Sequence, residues 1–133
     1  FAVAENGNII CCVTGGADDG IYWSDDDGDT WIRVQNGVPT YYSCTLCQNG
    51  DLIAGDSAGR VYRSINNGHD WVQESRPQTD DIWRLLTLAN GDILMGVTSN
   101  ANIFLSEDNG LSWEQQTHPV LAGSVYSFVE LLI

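Results

Sequence analysis

Short apolar runs alternate along the chain with clusters of Gly, Asn, Asp and Ser. None of these runs keeps the three-to-four-residue spacing of an amphipathic helix. They are rich in β-branched and aromatic residues, which favour a pleated, half-buried strand. Residues 41–47 and 51–55 form two such runs around Asn49-Gly50, a hairpin signal. Residues 60–64 and 71–74 follow, separated by a polar turn. The same order returns as 82–88, 92–97, 102–106 and 113–116. It also opens the chain as 1–4, 8–13, 20–24 and 31–34, with the first run cut short. The pattern predicts an all-β chain of three four-stranded antiparallel units and no helix.

Two sets of markers repeat at one period. Asn6-Gly7, Asn49-Gly50 and Asn90-Gly91 form the first set. The second begins at Ser24, Ser64 and Ser106 and closes at Trp31, Trp71 and Trp113. Both advance by about 40–43 residues, and four strands per unit of that length is the signature of a β-propeller blade. The blades are expected at 1–35, 41–75 and 82–117. Residues 124–132 align with 82–88 as the innermost strand of a further blade. Known propellers have typically 4–8 blades. Three therefore predict either a homodimer that forms a six-blade ring or the missing blades of a longer chain.

The second marker set is a polar turn with a fixed layout. Its first copy is Ser24-x-Asp26-x-Gly28-x-Thr30-Trp31. The second reads Ser64, Asn66, Gly68, Asp70, Trp71, and the third Ser106, Asp108, Gly110, Ser112, Trp113. A short acidic side chain can accept backbone N–H groups of its own turn. Each Trp can then bury a large ring, worth roughly 1.5–3 kcal/mol or more of transfer free energy. All three rings are expected to be buried in equivalent places. The unit resembles the Asp-box, or BNR repeat, of sialidases, xyloglucan-cleaving glycosidases, sortilin-type receptors and a photosystem assembly factor. That resemblance implies propeller blades with structural Asp-box hairpins, away from any active site. It implies a binding or scaffold module for carbohydrate or protein ligands. The rival reading is part of a polysaccharide-cleaving glycoside hydrolase of xyloglucanase type. It also implies an extracellular or periplasmic setting. The sialidase Arg-Ile-Pro motif is absent.

Composition narrows the partners. Of 133 residues, 18 are acidic against five arginines and no lysine, for a net charge of −13. Such a charge repels phosphate backbones and argues against nucleic acid as a partner. No apolar run reaches the length of a membrane span. Cys44-x-x-Cys47 is half a zinc pattern without its second half. Together with Cys11 and Cys12, these cysteines read as half-buried free thiols, the alternatives being a disulfide between the two pairs or a metal. The run Asp25-Asp26-Asp27-Gly28-Asp29 lacks the ligand positions of a calcium loop, since Trp23 and Val34 stand where oxygens are needed. No metal and no cofactor are expected.

Candidate chemistry falls on the ends of the strands opposite the polar turns. An aromatic residue opens each innermost strand, as Tyr42, Trp83 and Tyr126, and Arg84 follows the second of them. These four are the ligand-binding candidates, as a stacking platform at a channel mouth. Packing between blades is the alternative for the rings. Asp18, Asp19, Asp80 and Asp81 are the carboxylates available for acid/base work, which in glycoside hydrolysis needs two at a set separation. They also read simply as part of a solvated acidic rim that includes Asp56.

Overall fold

The computed structural model describes residues 1–36, 40–98, 101–116 and 123–128. Twelve strands form three antiparallel sheets, with no helix among the described residues. The first sheet holds β1 (Ala2–Val3), β2 (Ile9–Val13), β3 (Gly20–Ser24) and β4 (Ile32–Asn36) in sequence order. The second holds β5 (Tyr41–Leu46), β6 (Leu52–Asp56), β7 (Val61–Ser64) and β8 (Val72–Ser75). The third holds β9 (Ile82–Thr87), β10 (Ile93–Val97), β11 (Ile103–Ser106) and β12 (Glu114–Gln116).

The registers repeat. Ile10 pairs with Trp23, Ile53 with Arg63, and Leu94 with Leu105. The hairpins between the first two strands close alike, with Asn6, Asn49 and Asn90 each accepting the backbone N–H two residues on. The outer strands start one residue later than expected, because each Trp belongs to the turn and not to the strand.

One core joins the first sheet to the second, through Ile10, Ile21, Trp23, Tyr41, Leu52, Tyr62 and Trp71. A second joins the second sheet to the third, through Ile53, Val61, Ile82, Leu85, Ile93 and Met95. The second sheet thus shows one face to the first sheet and the other to the third. The innermost strands meet most closely. A Cβ on Gly55 would lie 2.6 Å from Ile82 Cβ, so this glycine lets the third sheet approach the second. Gly96 stands at the matching place, and there a Cβ would lie 2.7 Å from Val125 Cβ.

Two expectations need correction. Trp71 is buried and Trp113 half-buried, but Trp31 is 38% exposed. Trp71 and Trp113 pack on the preceding sheet, and among the described residues Trp31 meets no such sheet. The opening strand is also shorter than expected, two residues against six in β5 and β9. Residues 123–128 carry no assigned strand. They lie along β10, where Val125 N–H donates to Val97 O at 3.2 Å and Ser124 Oγ donates to Thr98 O at 2.7 Å. The rest of the expected strand over 124–132 falls outside the described residues, as does part of each loop over 35–40, 98–101 and 116–123.

Candidate functional site

The polar turns are built to one plan. Ser24 Oγ accepts Gly28 N–H at 2.9 Å and donates to Asp26 Oδ1 at 2.8 Å. Asp26 then accepts Thr30 N–H at 2.8 Å and the Thr30 hydroxyl at 2.5 Å. Ser106, Asp108, Gly110 and Ser112 repeat the whole set. In the middle turn the polarity is exchanged: Asn66 Nδ2 donates to Asp70 Oδ2 at 2.8 Å, where Asp26 accepts from Thr30. Trp31 and Trp71 each donate their indole N–H to the turn glycine's carbonyl at 3.0 Å. Hydrogen bonds from Thr30 and Ser24 hold the Asp26 carboxyl down to about 2. At Asp108, burial opposes the charge, and hydrogen bonds from Ser112 and Ser106 override it, again to about 2. All the oxygens of these carboxylates face donors of their own turn, which is the work of a clamp.

The opposite ends of the strands carry the aromatic row. Tyr42 sits between Tyr41, paired with Asp56, and Ser43, paired with Gly55, so Tyr42 is the extra residue of a β-bulge. Trp83 is the extra residue between Ile82 and Arg84 in the same way. A bulge re-aims the side chain it carries, and here it turns both rings the same way. Tyr42 and Trp83 stack at 4.6 Å with planes 7° apart. Tyr126 meets Trp83 edge-on at 5.3 Å and is 66% exposed. The structure therefore brings the three predicted aromatics into one continuous row. Arg84, half-buried, follows Trp83 along β9, and both its Nε and Trp83 Nε1 are buried without a hydrogen-bond partner.

The four candidate carboxylates part company. Asp19 is buried and fully used, accepting Gly16 N–H at 2.6 Å and the Thr40 hydroxyl at 3.0 Å, while its carbonyl receives the Arg33 guanidinium. Asp18 is exposed, and its carbonyl accepts the Tyr22 hydroxyl at 2.8 Å. Asp80 is half-buried and is held through its backbone by Gln78. Asp81 lies beside Tyr42. Burial first, then the charges of Asp81 and Asp19, pushes the Tyr42 phenol above its ordinary value. Asp56 is no rim residue. It is fully buried and binds the Ala58 and Arg60 N–H groups and the Arg60 side chain, the last at 2.8 Å. The sequence reading missed Thr40 and Arg33 as the partners that fix Asp19, because both come from distant strand ends.

The cysteines do not converge as Cys44-x-x-Cys47 suggests. Cys44 lies in the first core and Cys47 in the second. Cys12 instead adjoins Cys44 across the sheets, and their shared hydrogen bond, then burial, raises the Cys12 thiol well above its ordinary value. Three hollows lie away from the aromatic row. Two of about 400 Å³ repeat each other beside the polar turns of the third and second sheets. A third, of about 280 Å³, lies at the Asn-Gly end between Leu46 and Leu88.

Three four-stranded antiparallel sheets, stacked face to face with their first strands innermost, define the chain as a β-propeller fold. Among solved structures it is similar to "YCF48 bound to D1 peptide", also a β-propeller. The TM-score is 0.53 at 16% identity, over 71% of this chain and 33% of that one. The chain thus spans about a third of that protein's length, and the likeness concerns the fold. No protein-family model and no curated protein matches the chain.

Proposed function

We propose that the chain is a propeller module that binds a protein segment along the row Tyr42, Trp83 and Tyr126. The observation that carries this reading is the pair of β-bulges at one repeat position, whose extra residues, Tyr42 and Trp83, form a stacked pair. Bulges next to sites re-aim side chains for use, and a packing role alone does not call for a row that ends in a Tyr 66% exposed. The similar propeller YCF48 is bound to a peptide, which favours a peptide over a sugar here. A hydrolase reading finds less support, because Asp19 is consumed by Gly16 and Thr40. The test is selection of a random peptide library on the immobilised chain. Enriched peptides should lose at least tenfold in affinity to Tyr126→Ala. Reducing sugar released from xyloglucan, abolished by Asp81→Asn, would replace this reading with the glycosidase one.

A further inference from the structure

Cys11 and Cys12 lie on β2, Cys44 lies on β5, and Cys47 lies just past the end of β5. The sheets decide which of them can meet. Successive side chains of a strand point to opposite faces, so Cys11 and Cys12 part. Cys12 takes the face of Ile10, two residues before it, and packs on the core between the first and second sheets. Cys44 belongs to that same core, and Cys47 to the core between the second and third. Cys12 and Cys44 are thus the two cysteines that face each other across a packed interface.

Their side chains also touch. The Cys44 thiol donates to Ile10 O at 3.7 Å, which sets its sulfur beside the strand that carries Cys12. The two thiols share a hydrogen bond, and that bond lowers Cys44 while it raises Cys12 well above its ordinary value. The nucleophile of disulfide exchange is a thiolate. Cys44 is the one favoured as thiolate, with a second sulfur already against it.

We propose that Cys12 and Cys44 form a reversible disulfide that ties β2 of the first sheet to β5 of the second. The oxidant is a small-molecule disulfide such as oxidised glutathione. One protein thiolate attacks it, forms a mixed disulfide and expels one small thiolate. The other protein thiolate attacks the protein sulfur of the mixed disulfide and expels the second. The two protons leave with the two small thiols, and the small disulfide is reduced by two electrons. The protein sulfurs close to about 2.05 Å. The bond restricts the unfolded chain while it crosses a contact that the fold already makes. Neither cysteine lies in the aromatic row, so the proposal stands apart from the peptide-binding reading.

Oxidised glutathione added to the reduced 133-residue chain tests it. In the Cys11→Ser variant, cleavage after Arg33 and Leu46 leaves Cys12, Cys44 and Cys47 on separate fragments. Mass spectrometry should find the Cys12 and Cys44 fragments joined, in a chain that runs at its single-chain mass on non-reducing electrophoresis. The melting temperature should rise by roughly 10 °C on oxidation and return with dithiothreitol. The wild type should show the same shift, and Cys12→Ser added to Cys11→Ser should abolish both the link and the shift. Free thiols or glutathione adducts at Cys12 and Cys44 after oxidation overturn the proposal. A link that takes in Cys47 or a second chain also overturns it. So does a joined pair that fails to raise the melting temperature, because the two sulfurs would then meet only in a distorted fold.

Discussion

At the scale of single residues, the three polar turns show how one backbone shape tolerates changed chemistry. Asp26 accepts from Thr30, Asp108 accepts from Ser112, and Asn66 donates to Asp70. The middle pair looks like two departures from the motif, yet it is one exchange of donor and acceptor. Asn66→Asp would set two carboxylates against each other. It should lower the melting temperature at pH 7, and the loss should shrink as the pH falls and one of them takes up a proton. Asp26 makes the complementary case. Its folded value is about 2 against an ordinary 3.8. A lowered folded value means that its stabilisation is present above pH 4 and is lost as the pH falls through 2. The stability gap between wild type and Asp26→Ala should therefore narrow across that window when followed by thermal melts. A gap that does not change with pH would mean that Asp26 acts without its charge.

At the scale of the strand and the sheet, the motif reads local geometry well and burial poorly. Ser24, Gly28 and Trp31 fold their hairpin as Ser64, Gly68 and Trp71 do, down to the 3.0 Å indole bond. What buries Trp71 is the neighbouring sheet, and no motif within the hairpin encodes a neighbour. Trp71→Ala should therefore cost about 3 kcal/mol or more, as large-to-small changes of buried aromatics do. Trp31→Ala should cost about 1 kcal/mol or less. Equal losses on urea denaturation would show that the ring acts through its own turn. The aromatic row was legible for a similar reason: Tyr42, Trp83 and Tyr126 keep the blade period. The bulges that aim two of them were not, since a bulge is a mismatch between two strands and leaves no mark in either one. Gly55 was likewise silent until Ile82 was seen against it. Its backbone can accept an alanine, but the Cβ has no room. Gly55→Ala should destabilise by about 1–3 kcal/mol through overpacking, and Ile82→Val, added to it, should recover none of the loss, because valine keeps the Cβ and Cγ2 that the new methyl meets.

At the scale of the whole molecule, the charge limits which segments can lie on the aromatic row. The net charge is −13, with no lysine and only five arginines. Arg60 and Arg63 are already paired within the second sheet. At the row itself, burial and the charges of Asp81 and Asp19 act on the Tyr42 phenol. An acidic peptide therefore meets repulsion there and a basic one attraction. Salt shortens the range of both to roughly 8 Å at 0.15 M, from roughly 30 Å at 0.01 M. Peptides selected on the chain should therefore carry net positive charge and bind more weakly as sodium chloride rises from about 0.01 to 0.15 M, which calorimetry at the two concentrations reads directly. Acidic peptides among those selected, or binding indifferent to salt, would mean that the rings hold the segment without help from the charge.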